Sequence, residues 1–361
     1  MIDADSQQSI SPTTQSATNF WRAAAPVAAL VFLSPVLTEL LAGILTISRI
    51  WLLIPEMAVY GGAALLIREV ARRQGRGWGT ILLLGVAFAV TEECVILQTS
   101  LTPQFFPAGT DSFAWAFGVQ WSYFVAMLGY ESVYAIVLPI ALTEILFPAR
   151  RNDPWLSQRG LAITAVIFAL ASAGVWWLWS HVGVERYSGG VTISPLNVIL
   201  GAVITLMLVG GTLALRRNPR PATGIIGITG AARLGRRRAW WPWALWLIAF
   251  FFGLFWWILV ILAYLPASIA AGGSPLIPII FGVVWGLFAY VAIRWLSGAA
   301  GWQDRHRLAL IFGASAASML AGTLVVLAGE PIDILGKLAL DLAAIVLFGV
   351  LAWHLRGGRV G

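Results

Sequence analysis

Gly85-Val-Ala-Phe-Ala-Val-Thr-Glu92-Glu93-Cys-Val-Ile-Leu-Gln98 places two adjacent carboxylates inside a run apolar enough to cross a bilayer. An ionisable side chain at that depth costs about 2.5–3.5 kcal/mol on insertion scales, so it turns toward a polar interior and marks a functional position. The surrounding chain has the composition such a run requires. Of 361 residues, 59% are hydrophobic and 11% charged, with a mean hydropathy of +0.84. A soluble domain carries about 25% charged residues. The apolar residues fall into runs of about 20, long enough to span about 30 Å of hydrocarbon. The sequence predicts an all-α polytopic membrane helical bundle.

Ten spans are expected, over residues 20–47, 51–72, 77–99, 115–147, 160–181, 195–215, 241–265, 275–296, 307–328 and 334–355. Residues 1–19 are polar and lack the basic start of a signal peptide; they read as a disordered tail. A four-helix module carrying most of the glutamates follows over 20–148, then two spans over 149–215. A basic, Gly/Arg-rich loop over 216–240 leads to a Trp/Phe-rich four-helix module with a short tail over 241–361. With the N-terminus in the cytoplasm, all but Arg49, Arg186 and Lys337 of the 23 basic residues fall on the cytoplasmic side. That bias matches the positive-inside rule and puts both termini in the cytoplasm. The location expected is a bacterial inner (plasma) membrane.

A net charge of +7 does not imply nucleic acid here, because no aromatic-interleaved soluble module is present. Basic loops on anionic lipid headgroups account for it. Cys94 stands alone, so there is no disulfide framework. His181, His306 and His354 lie far apart, and no metal or cofactor motif is found. Residues 223–238 carry Gly224, Gly227 and Gly230 but no Gly-Lys-Ser/Thr, so they are no phosphate loop. Segments five to nine hold no acidic residue in their apolar cores. Segment seven, from Trp241, suits a lipid-facing surface with interfacial anchors. Ala309, Gly313, Ala317 and Ala321 recur every four residues and offer a small-residue packing face. The second half shows none of the polar or broken helices that an inverted-repeat transporter would need.

At about 1.5 Å rise per residue, Glu39, Glu56, Glu92, Glu93 and Glu131 all lie about 22–25 Å above the cytoplasmic ends of their segments. Five carboxylates from four helices thus share a layer in the outer half of the membrane. Carboxylates so placed repel one another and share protons, which suits acid–base chemistry or a proton relay. Glu92, Glu93 and Glu131 are the catalytic candidates, with Glu39, Gln98 and Tyr134 as supporting groups. Adjacent side chains point about 100° apart on a helix, so only one of Glu92 and Glu93 faces a common interior. Pro35, Pro55 and Pro139 accompany the layer; Pro35 and Pro139 free carbonyls inside helices, while Pro55 suits a first turn.

The remaining ionisable groups have structural readings. Glu69, among Arg68, Arg72 and Arg73, is expected in a surface ion pair. Glu144 is expected to pair with Arg150 or to reach headgroups, and Glu56 also suits outer interfacial water. Asp341 has Lys337 one turn earlier as an ion-pair partner. Arg49 serves as a topological anchor or as a counter-ion to the layer.

The Glu92-Glu93 pair, followed by Met127-x-x-x-Glu131 in the next helix, resembles the CPBP family of CAAX- and bacteriocin-processing intramembrane proteases. Their pattern is Glu-Glu-x-x-x-Arg, then Phe-x-x-x-His, then His-x-x-x-Asn/Asp. Leu97 stands at the Arg position, Glu131 at the first His, and the third element has no counterpart before His181. The resemblance covers roughly residues 60–148. It implies a glutamate-dependent hydrolase, degenerate at the histidines, in which Glu92 or Glu93 activates water and Glu131 assists. Residues 132–148 also look like a bacterial multi-pass membrane family with no assigned function. The other readings of the layer are a proton-coupled transporter and a non-catalytic protein that binds lipid or a partner helix. The partners implied are membrane lipid and a membrane-embedded peptide, lipid or small solute.

Overall fold

The computed structural model describes residues 12–183, 193–215, 238–266, 268, 274 and 276–357. The chain is an all-α polytopic bundle with ten helices long and apolar enough to cross a membrane: Ala23–Leu40, Ile47–Arg73, Trp78–Ile96, Trp121–Leu146, Gln158–Val182, Pro195–Ala214, Pro242–Ala263, Leu276–Ser297, Asp304–Val326 and Pro331–Arg356, here spans 1 to 10. Among the described residues the one sheet is a hairpin of β1 (Trp115–Ala116) and β2 (Val119–Gln120). The helix leading into span 1 starts at Pro12, so the expected disordered tail is helical over 12–19; residues 1–11 and the basic loop over 216–237 lie outside the described residues. Pro12 supplies a fixed φ suited to a helix start.

Spans 3, 4 and 9 are the most enclosed of the bundle, and spans 1, 2 and 7 complete its core. Within its most apolar window, span 4 is 72% buried in the protein, whereas span 5 is 0% buried. Span 5 therefore presents its apolar surface outward, as a lipid-facing helix does. Span 7 is more than a lipid-facing surface. Trp241 and Trp243 are exposed, but Leu245, Gly253 and Leu259 are buried, and Trp256 Nε1 donates to the Ala126 carbonyl of span 4 at 2.8 Å. The small-residue face of span 9 packs here. A Cβ on Gly313 would come 2.2 Å from the Trp246 carbonyl oxygen, and one on Gly253 would come 2.6 Å from the Ala317 Cβ. Close backbone approach of this kind is what small residues permit between membrane helices.

Arginines tie the bundle together at one end. Arg72 grips Glu144 with two bonds of 2.8 Å, and Arg68 Nε lies 3.2 Å from the same carboxylate. Arg68 is fully buried, donates to the carbonyls of Arg150, Arg151 and Asp153, and stacks 3.2 Å from the Trp155 ring centroid. Glu69 is buried too, accepting from the Trp155 and Leu156 amides and from Arg73. Neither glutamate has the expected setting: Glu69 is no surface pair, and Glu144 bonds to Arg72 and Arg68 of span 2. The guanidinium fork matches a carboxylate face to face, which suits buried pairing better than a headgroup contact. Arg151 and Arg307 meet at Asp304, linking this knot to span 9. Arg76 donates to the carbonyls of Thr212, Leu213 and Leu215, closing the C-terminus of span 6.

Lys337 pairs with Asp341, which also accepts from Thr323 at 2.8 Å, as the one-turn spacing leads one to expect. Arg49 is exposed and acts on Asp333, at the head of span 10.

Candidate functional site

The end of the bundle opposite the arginine knot holds the carboxylates. Glu39, Glu92, Glu93 and Glu131 are each at least 94% buried, and Glu56 is half-buried at their margin. They lie within electrostatic reach of one another: Glu92 of Glu93, Glu131 and Glu39, and Glu56 of Glu39 and Glu131. The layer expected from depth alone is therefore a cluster.

The local reason is a change of helix type. Each of spans 1 to 4 widens into a π-helical turn at the cluster: Val36–Leu40, Met57–Gly61, Glu92–Ile96 and Glu131–Val137. Such turns are rare and concentrate at functional sites. Proline contributes to two of them. Pro35 offers no N–H to the Val31 carbonyl one turn earlier, and Gly61 packs directly on that carbonyl, where a Cβ would sit 2.5 Å from the oxygen. Pro139 likewise offers none to the Ala135 carbonyl, which instead accepts from Ser34 Oγ at 2.6 Å.

Within the Glu-Glu pair the two side chains have different surroundings. Glu93 Oε2 accepts from Thr99 Oγ1 at 2.7 Å, the Ser100 amide at 3.1 Å and Ser100 Oγ at 2.5 Å. With three donors on one oxygen, Glu93 anchors the start of the following loop. Glu92 Oε1 accepts from the Tyr60 hydroxyl at 3.2 Å, while Glu92 Oε2 and Glu131 Oε2 are buried with no hydrogen-bond partner among the described residues. Both members of the pair are buried within electrostatic reach of Glu131, and Glu92 is the one left with an oxygen that no donor among the described residues reaches.

Two supporting candidates point elsewhere. Gln98 donates to the Val95 carbonyl at 3.3 Å and takes a left-handed φ of 57°, so it turns the chain out of span 3. Tyr134 donates to the Ala314 carbonyl of span 9 at 2.8 Å and stacks on Tyr130 at 4.9 Å. Glu39 does join the cluster. Tyr60, which the sequence did not single out, is the group whose hydroxyl donates to Glu92, and it lies within electrostatic reach of Glu39 and Glu131 as well. Its one available signal is position, one helical turn after Glu56.

Residues 99–120 form a lid of short 3-10 turns and the hairpin, fastened to the cluster where Thr99 and Ser100 donate to Glu93. Gln120 is fully buried: its amide nitrogen donates to the carbonyls of Phe113 and Ala263, and its oxygen accepts from the Tyr123 amide and Ser122 Oγ. Beneath it Phe105, Phe106, Tyr123 and Tyr264 pack ring to ring at 5.2–6.2 Å. Tyr264 lies just beyond span 7. Burial, and secondarily the Glu93 charge, pushes its hydroxyl above the usual phenol range, so it stays neutral.

Arg72 is engaged in the arginine knot, Arg151 at Asp304 and Lys337 at Asp341, while Arg49 acts on Asp333. Among the described residues, no group of three or more His, Cys, Asp and Glu side chains is placed to hold a metal ion. Compared with protein-family models, with curated proteins and with solved structures, the chain matches none.

Proposed function

We propose that the four-helix module is an acid–base site, and that the protein is a glutamate-dependent hydrolase acting on a carbonyl group within the membrane. The observation that carries this reading is the set of three buried, unengaged oxygens, Glu92 Oε2, Glu131 Oε2 and, at the margin, Glu56 Oε2, in one electrostatic cluster. Carboxyl groups packed this closely hold protons in common. One can then serve as base while its neighbour serves as acid. Glu92 takes a proton from water as the water oxygen bonds to the carbonyl carbon. Glu131 gives a proton to the leaving atom as its bond to that carbon breaks, and the two carboxyls then re-equilibrate. Glu93 holds the lid rather than reacting. The weak resemblance to CPBP proteases points the same way, and a membrane-embedded peptide is the substrate class it suggests.

A second reading, a proton-coupled carrier, draws on a different observation. The hydroxyl and amide donors that reach the cluster are those of Tyr60, Thr99 and Ser100, and an oxyanion is normally held by donors aimed at the reacting carbonyl. The comparison to make is peptide fragments in membranes from cells producing the wild type, Glu92→Gln or Glu131→Gln, each at matched protein level. A hydrolase loses a defined set of fragments in both variants. If the fragments are unchanged while proton uptake into proteoliposomes falls, the carrier reading replaces it.

A further inference from the structure

We propose that the tip of the lid hairpin, Phe117, inserts into the lipid leaflet at the carboxylate end of the bundle and fastens the lid to the bilayer. The inference is independent of the chemistry of the carboxylates. Ala116 pairs with Val119, so Phe117 and Gly118 are the two central residues of a tight hairpin turn. Their φ angles are 54° and 75°. Positive φ at both positions belongs to the type I′ turn, which favours Asn-Gly, Asp-Gly or Gly-Gly. A phenylalanine in the left-handed region weakens the turn. Its ring makes almost no contact within the protein, since the residue is 90% exposed.

The turn is nevertheless firmly held. Asn197 Nδ2 donates to the Phe117 carbonyl at 3.0 Å and to the Gly118 carbonyl at 3.3 Å. Trp121 Nε1 donates to the Ala116 carbonyl at 3.0 Å. A ring fixed in place and turned away from the protein has its partner outside it, and the surroundings of the tip identify that partner. Asn197 lies in the first turn of span 6 and Trp121 is the first residue of span 4, so the tip sits where two spans enter the bilayer. Tryptophan at the end of a span is a headgroup-level residue. Beside the tip, span 6 exposes Leu196, Ile199 and Leu200, and its most apolar window is only 11% buried. That is a lipid-facing surface, and Phe117 continues it onto the lid. The stretch Phe113-Ala-Trp-Ala-Phe-Gly-Val119 carries no charge to oppose entry into lipid. The lid is then held at both ends, by lipid at Phe117 and by Glu93 at Thr99 and Ser100.

The test uses the full chain carrying Cys94→Ala, reconstituted in phosphatidylcholine vesicles with a single nitroxide label. Labels are placed by Phe117→Cys, by Leu200→Cys as the lipid-facing reference, and by Thr110→Cys as the exposed reference elsewhere on the lid. Collision with oxygen, which concentrates in the bilayer, and with a water-soluble nickel chelate gives the depth of each label. The label at position 117 is expected to favour oxygen as the one at 200 does, and the label at 110 to favour nickel. A second pair of proteins keeps the native ring in one member: a label from Ala116→Cys is read with Phe117 present and with Phe117→Ser. The serine variant is expected to shift the ratio of lipid-inserted to water-exposed label about tenfold toward water, the lower range of what burying one such side chain supplies. A label at 117 that favours nickel, or a label at 116 indifferent to Phe117→Ser, would overturn the anchor. A label at 117 closed to both reagents would also overturn it and assign the tip to a protein partner, a second copy of the chain if the labels broaden one another's spectra.

Discussion

Glu144→Gln tests whether the arginine knot fastens spans 2 and 4. Glu144 is 1% exposed and accepts two 2.8 Å bonds from Arg72, with Arg68 Nε at 3.2 Å. Glutamine keeps one acceptor but turns an NH2 toward a guanidinium N–H, and removes the charge. The buried group then changes from Arg68, Arg72 and Arg73 against two carboxylates to the same three cations against Glu69 alone. Removing one partner of a buried pair costs about 3–5 kcal/mol, because the other charge stays desolvated and uncompensated. That shifts the folded-to-unfolded ratio by about a hundredfold to a few thousandfold, at tenfold per 1.4 kcal/mol. Removing both partners together, as Arg72→Met with Glu144→Leu, is expected to recover most of the loss, since Arg68 retains Glu69, three carbonyls and Trp155. Unfolding in detergent, followed by tryptophan fluorescence, measures all three proteins. Equal stability of Glu144→Gln and wild type, or a double variant weaker than the single, refutes the reasoning.

Two further outcomes follow from the packing and the lid. Gly313→Ala drives a methyl to 2.2 Å from the Trp246 carbonyl oxygen, which must separate spans 7 and 9; a loss of about 1–3 kcal/mol in the same unfolding assay is expected. Ser100→Ala removes one hydroxyl donor from buried Glu93, which keeps two others, and should cost about 0.5–1.5 kcal/mol, with faster amide exchange confined to residues 99–120.

Much of the fold was legible because hydrocarbon imposes length and polarity together. The described spans start and end within a few residues of the expected ones, apart from spans 1 and 4, where the chain leaves the helix near Glu39 and forms the hairpin before Trp121. Depth counting also found Glu39, Glu92, Glu93 and Glu131, since rise per residue needs no tertiary knowledge. What it could not supply was lateral contact. Arg68, Arg72 and Arg73 flank Glu69 in sequence and suggest a wet surface, yet Trp155 and Glu144, about 80 residues on, cover them. The different settings of Glu92 and Glu93 depend on Thr99 and Ser100 folding back, in a stretch with no hydrophobic period to read. Tyr60 looked like one more aromatic in an apolar helix; its role depends on which helix faces it.

The widened turns of the first four helices bear on how each could be edited. A π turn holds one residue more than the ordinary repeat accommodates. Deleting a single residue there, Val95 for instance, would let the helix close to its usual pitch, and because the wide turn absorbs its extra residue locally, the parts on either side would keep nearly the faces they now present. The loss would fall on the turn alone, whose carboxyl would be re-aimed. These four helices can thus be shortened by one residue at the widened turn without shearing the rest of the molecule, whereas the same deletion in a regular stretch would rotate everything beyond it by about 100°.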